Sequence, residues 1–357
     1  MITNRSLGAI IYFLCKGCFL GIGFYTLFEF SKNNSYLSVI LGFILGLIPL
    51  IATIYIYNKC DTNVIEYIDK KFGKIGKIIN LCVSIFFIFV SIILIYNLCM
   101  FVKLEYMQET DLGYILILLI VGISFLLKYD IDVISRVSVI LIAISIIMFL
   151  VTILGLFSNV EITNFMPLNI SDSFLGGIYY SIYASLPMFL ILTIDKTKVK
   201  GRIGKTMFLM YTFSNLTLLV FILLIIGVLG YPLMSIYKYP EYISLKKVTL
   251  FNFIEKVENI VAIQFFFDSI MLIIMCNYYS IKAFSKKINK NIVRYILIAL
   301  MFISIYIFKN TNEFTKFIEG YFPVIVGIIL SALYILVVIR IFIDNIYKNK
   351  KVKLNSK

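Results

Sequence analysis

The chain has 357 residues, 61% hydrophobic and 15% charged, with a mean hydropathy of +0.99, which excludes a soluble globular fold of this length and places it in a bilayer. Histidine is absent, so Ser-His and Cys-His nucleophile pairs, imidazole metal sites and the usual neutral-pH proton shuttle are excluded, and no cofactor is implied. The net charge of +14, from 33 Lys and Arg against 19 Asp and Glu, is read loop by loop as a membrane-orientation signal, not as a nucleic-acid surface.

A spanning helix needs roughly 20 apolar residues. Apolar runs fall at about residues 8–29, 36–57, 78–102, 112–128, 136–157, 174–194, 206–230, 259–284, 292–308 and 318–343, which predicts about ten transmembrane helices in a single integral-membrane domain over 1–357. The fourth and ninth are short. The first run continues past the length of a signal core without a small-residue cleavage site, so the first helix is expected to be retained. Within it, Cys15 and Cys18 lie one turn apart and read as small packing residues.

Three glycines interrupt the first span in Gly17-Cys18-Phe19-Leu20-Gly21-Ile22-Gly23. Gly21 and Gly23 do not share a helix face, so they form no G-x-x-x-G seam. Two readings remain, close helix packing or a local unwinding that exposes backbone N–H and C=O groups to a cavity, as transporters use to bind small zwitterions. Lys16, in the same span, lies deep in the hydrocarbon.

After the second span, Asp61-Thr62 precedes Val64, Ile65, Ile68 and Phe72, the spacing of a short interfacial helix capped by Asp or Thr and followed by Gly73. The sixth span carries Gly176 and Gly177 near one end, then Tyr183, Ala184, Ser185 and Pro187 around its middle. Pro187 removes the hydrogen bond to the Tyr183 carbonyl, so this stretch is a candidate second break. Beyond the seventh span, Tyr231-Pro232 and Tyr239-Pro240 punctuate a long loop whose later part, Val248 to Val257, is amphipathic.

The eighth span holds the second deep ionisable residue, Asp268. A charge at membrane depth costs several kcal/mol unless paired or hydrated. If spans one and eight are adjacent, Lys16 and Asp268 form an ion pair, with the ammonium standing where a sodium-coupled transporter holds its cation. The alternatives are separate water or backbone partners, or a Lys16 that snorkels to the cytoplasmic face.

Most Lys and Arg fall on one side of this topology. Arg5, Lys59, the 70–77 lysines, Lys128, Arg136, the 196–205 cluster, the 282–294 cluster and the tail lie opposite Lys32, Lys103, Lys238, Lys246, Lys247, Lys256, Lys309 and Lys316. Both termini are therefore predicted to be cytoplasmic, with 344–357 a basic cytoplasmic tail. Interruptions in spans one and six are five spans apart, the offset of an inverted five-plus-five repeat, here about 8–157 and 174–343.

Gly21-Ile22-Gly23-Phe24-Tyr25-Thr26-Leu27 resembles the first-helix G-x-G-I-L-x-L-P of the B subunits of spore-germination nutrient receptors, with Phe28 in place of proline. Phe72-Gly73-Lys74-Ile75-Gly76-Lys77, Asn164-Phe165-Met166-Pro167, and Tyr239-Pro240 followed by Phe253-Ile254-Glu255-Lys256-Val257-Glu258 are similar to later motifs of the same family, with Lys256 where arginine is common. That family is a branch of the amino acid/polyamine/organocation transporters. The resemblance implies an all-α, LeuT-like fold with broken helices one and six in the inner membrane of a dormant spore. It also implies a small-molecule germinant, commonly an amino acid, and partnership with receptor A and C subunits. Gly17, Gly21, Ile22, Gly23, Tyr183, Ala184 and Ser185 are then the candidate ligand-binding residues, with Lys16 and Asp268 as ion pair or coupling-ion substitute. The expected activity is nutrient sensing, with an active amino acid permease of the same fold as the alternative; no catalytic cluster points to an enzyme.

Overall fold

A computed structural model describes residues 1–357 except 169, 247–257, 286–287, 309–310 and 356–357. Among them the regular structure is helical, with no β-strand beyond one isolated parallel bridge between Ile2 and Val199. The expected amphipathic stretch 248–257, and Phe253 to Val257 of the last motif, lie outside the described residues.

The first predicted span is built from α1 (Asn4–Lys16), a π-helical turn (Phe19–Gly23) and α2 (Phe24–Ser31). A 3-10 turn at Lys32–Asn34, with Lys32 at φ 48°, leads into α3 (Ser35–Lys59). Then come α4 (Val64–Phe72), α5 (Lys74–Glu105), α6 (Leu112–Leu126), α7 (Ile131–Phe157) and α8 (Ile170–Ser185), which continues as a 3-10 helix, Leu186–Thr193. The second half contains α9 (Ile203–Met234), α10 (Pro240–Lys246), α11 (Glu258–Phe284), α12 (Lys290–Met301), α13 (Ser304–Ile307) and α14 (Thr311–Lys316). A second π turn, Phe317–Tyr321, opens α15 (Phe322–Asn355).

Every apolar run read from the sequence coincides with helix. Seven helical stretches among the described residues are long and apolar enough to cross a bilayer, and the first of them, Asn4–Lys59, contains the first two predicted runs. The fourth and ninth runs form α6, 15 residues, and α12, 12 residues, short for a crossing.

Burial explains the layout. Every residue of α1 from Ser6 to Lys16 is buried, and the helix is apolar on all sides from Leu7 to Cys15, so it lies at the centre, packed on α7, α9 and α11. The outer helices keep apolar faces bare at helical spacing, such as Ile40, Ile44, Ile48 and Ile51 on α3 and Ile140, Ile147 and Leu154 on α7. In water such surface would aggregate; in lipid it is the solvent contact.

Without a hydrophobic force between helices in lipid, small residues and hydrogen bonds hold the bundle. Gly42 and Gly46 of α3 lie against α8, where a Cβ on Gly42 would stand 2.6 Å from the Gly177 carbonyl oxygen. A Cβ on Gly176 would collide with the Ser31 hydroxyl. Gly176 and Gly177 therefore serve this seam and take no part in a helix break. Between α5 and α11, Asn277 donates to Ser91 Oγ at 3.1 Å and the Tyr279 hydroxyl to Asn80 Oδ1 at 2.8 Å.

The interfacial helix after the second span is present as α4, with a corrected cap. Its first turn is closed by Asn63, whose Oδ1 accepts from the Glu66 N–H at 2.9 Å, and not by Asp61 or Thr62. Gly73 follows at φ +58° and ψ −123°, a backbone conformation that glycine tolerates and that ends the helix.

Candidate functional site

The predicted break in the first span is real backbone geometry. Regular α-helix stops at Lys16, and the chain resumes with wider i to i+5 bonding, the Gly23 N–H donating to the Cys18 carbonyl at 2.8 Å. Gly21 sits at φ +75°, in the left-handed region that a side chain strongly disfavours. Its N–H points out of the helix and donates to Glu241 Oε1 of α10 at 2.7 Å, across 220 residues of sequence. The Tyr239 ring lies directly over Gly21, where a Cβ would stand 2.5 Å from Cε1. The Tyr239 hydroxyl donates to the Asn97 carbonyl of α5 at 3.3 Å, and Phe101 packs edge-on to its ring, with centroids 5.0 Å apart.

Glu241 is 2% exposed, and its second oxygen, Oε2, has no hydrogen-bond partner among the described residues. Burial, assisted by repulsion from Glu105 and opposed by the backbone N–H bonds, pushes its pKa up to about 8. Burial thus favours the protonated carboxyl group more than solvent would. Three residues earlier Lys238 holds its ammonium 4.4 Å above the Phe314 ring centroid, without a hydrogen-bond partner among the described residues, and burial pushes its pKa down to about 7.

Lys16 and Asp268 meet. Lys16 Nζ is 3.2 Å from Asp268 Oδ2, with side chains 10% and 1% exposed. The ammonium also donates to the Tyr12 hydroxyl at 3.1 Å. Of the alternatives, the direct pair is the one formed, and snorkelling is not. Beside the pair is a cavity of about 10 Å³, room for one water, lined by Thr217 and Gln264 as well as the aromatic rings of Phe19, Phe24 and Phe221. Gln264 is anchored by donating to the Ser145 carbonyl at 2.8 Å.

The other predicted residues separate into distinct surroundings. Gly17 seats α1 on α11, since a Cβ there would stand 2.7 Å from Leu272 Cβ. Ile22 is buried and its carbonyl accepts from Thr26 Oγ at 2.9 Å, while a Cβ on Gly23 would meet the Phe19 ring at 2.9 Å. In α8 the helix tightens from α to 3-10 at Ser185, with Pro187 in the first turn of the new segment. Tyr183 reaches the first break, its ring edge-on to Phe19 at 6.2 Å, and its buried hydroxyl lacks a hydrogen-bond partner among the described residues. Ala184 is buried beside it, whereas Ser185 faces Gly46 of α3 and returns its hydroxyl to the Ser181 carbonyl. The break thus unites Gly21 with Tyr183 through Phe19, but not with Ser185.

Sequence reasoning missed Glu241, Asn97, Thr217 and Gln264. The one available signal was an acidic residue directly after the Tyr239-Pro240 pair. Towards the predicted cytoplasmic side, Asp195 joins three segments: Lys282 Nζ approaches its Oδ1 at 2.7 Å and Asn63 Nδ2 donates to the same oxygen at 2.6 Å. Burial raises the Asp195 pKa, but the Lys282 ammonium and Asn63 outweigh it and hold the carboxyl below its ordinary range.

A family model described as spore germination protein matches residues 9–314. No curated protein matches the chain significantly. Among solved structures, a mutant of the manganese transporter of Eremococcus coleocola superposes with a TM-score of 0.56 at 10% identity, over 95% of this chain and 78% of that one. Mhp1, a nucleobase-cation-symport-1 family transporter in a closed conformation with bromovinylhydantoin bound, gives a TM-score of 0.55 at 14% identity, over 94% and 79% of the two chains. The chain therefore shares the fold of these transporters and is an integral, multi-pass membrane protein.

Proposed function

Because the chain belongs to the spore germination protein family, we propose that it is the nutrient-sensing membrane subunit of a germination receptor, with a small-molecule site at the helix-1 break. The observation that carries this reading is Gly21, whose N–H is turned out of its helix at membrane depth and already holds a carboxyl group. A backbone donor so placed suits an amino acid, which carries a carboxylate.

In this reading ten crossings arranged as two inverted five-helix repeats put both termini in the cytoplasm, and the membrane is the spore inner membrane. A and C subunits read out a ligand-driven shift between transporter-like states. The fixed Lys16 ammonium beside Asp268 takes the place of a coupling cation. The cavity at the break holds about one water, so a ligand of amino-acid size enters only after the surrounding elements separate.

Active amino acid transport on the same fold is the second reading, favoured by the transporter likeness of the whole chain. Two measurements separate them: uptake of radiolabelled amino acids into vesicles carrying this chain, and nutrient germination of spores carrying Gly21→Ala. Germination lost without any vesicle uptake supports the sensor; robust uptake with germination unaffected overturns it.

A further inference from the structure

We propose that Glu241 is a ligand supplied by the chain itself: from α10 its carboxyl group occupies the carboxyl-binding site made by the Gly21 N–H, and a small carboxylate from outside binds there by displacing it. The inference rests on the reading of the break as a ligand site, and it adds the device that closes the site.

Three observations support it. The bond from Gly21 to Oε1 is a good one at 2.7 Å, and the left-handed glycine exists to present that N–H. The carboxyl is nevertheless half satisfied, with Oε2 buried and unpartnered among the described residues. A structural staple at 2% exposure should saturate its acceptors, because an unmet buried oxygen is costly; a displaceable plug need not. Finally, Tyr239 and Pro240 precede Glu241 directly, and the Tyr239 ring covers Gly21, so withdrawal of α10 removes carboxyl and lid together.

Chemical rescue tests this. The purified full-length protein and its Glu241→Ala variant are melted in sodium acetate and in sodium chloride of equal ionic strength. Acetate should raise the melting midpoint of Glu241→Ala by a few degrees, saturably, and leave the parent protein unmoved. An equal response of both, or none in either, overturns the proposal. Should Glu241→Ala not fold, Glu241→Asp keeps a carboxyl group but is too short to reach the amide. Hydrogen exchange over residues 17–24 should then be faster than in the parent and slowed by acetate, and unchanged exchange overturns the proposal. The two readings fail separately. Acetate rescue with no amino-acid response in either protein sustains the plug and removes the amino-acid reading, whereas amino-acid binding of equal affinity in parent and Glu241→Ala removes the plug alone.

Discussion

A buried lysine beside a buried aspartate is tolerable only while both are present. Replacing Lys16 with Met leaves Asp268, 1% exposed, as an uncompensated charge, and should cost about 3–5 kcal/mol. The double variant Lys16→Met/Asp268→Leu removes both charges and should recover most of the loss. Detergent-solubilised melting temperatures check this, and a single variant as stable as the parent would disprove the pairing. If the ammonium replaces a coupling cation, the recovered double variant should still fail in germination. Gly21→Ala is a different kind of change. A left-handed Ala costs about 1–2 kcal/mol, and the new methyl would press into the Tyr239 ring. Normal amounts of membrane-inserted protein with a lost nutrient response are expected, read by immunoblot and spore germination. At this scale the depth of Lys16 and Asp268 was plain from the apolar runs around them. The burial of Glu241 was not, because a seven-residue loop helix carries no sign of which surface it docks against.

Among the elements, the linkage of α4, α11 and the segment after the 3-10 helix, on the predicted cytoplasmic side, turns on two residues. Asn63 both caps α4 and donates to Asp195, so Asn63→Ala should destabilise by about 1 kcal/mol for the cap alone, measurable as a lower melting temperature. Asp195 sets a pH window. Its folded pKa lies below the ordinary carboxylate value of about 3.9, so its contribution is complete above that value and is lost as pH falls through the lower folded one. Melting temperatures of parent and Asp195→Asn should therefore differ by a constant amount from about pH 8 to 5 and converge only in stronger acid; convergence near neutrality would refute the assignment. Asn63 was overlooked as the cap because Asp61, Thr62 and Asn63 are all good capping residues, and only the chain's entry angle selects one. Gly176 and Gly177 were misplaced for a similar reason. Glycines in a span serve packing or unwinding, and the partner that decides, the Ser38 and Gly42 face of α3, is more than 100 residues away.

For the whole molecule, the asymmetry of Lys and Arg predicts that a reporter fused at Lys357 is active only in the cytoplasm. Activity outside the membrane would invert the topology and place α10 on the cytoplasmic side, where it could not meet a nutrient arriving from outside. Sequence by itself determined what depends on composition and local order: a membrane solvent, helices where the apolar runs lie, a glycine cluster at Gly21 open to packing or unwinding, and two charges too deep to stand alone. It could do so because lipid forces every backbone group to bond locally, which makes hydropathy nearly a map of helices. Tertiary structure alone decided which helices touch. It joined Lys16 to Asp268, gave Gly176 and Gly177 to a packing seam, divided Tyr183 from Ser185, and filled the break with Glu241. Each of these is a contact between residues distant in sequence, fixed by packing and hydrogen bonding within the bundle, on which the periodicity of any single helix is silent.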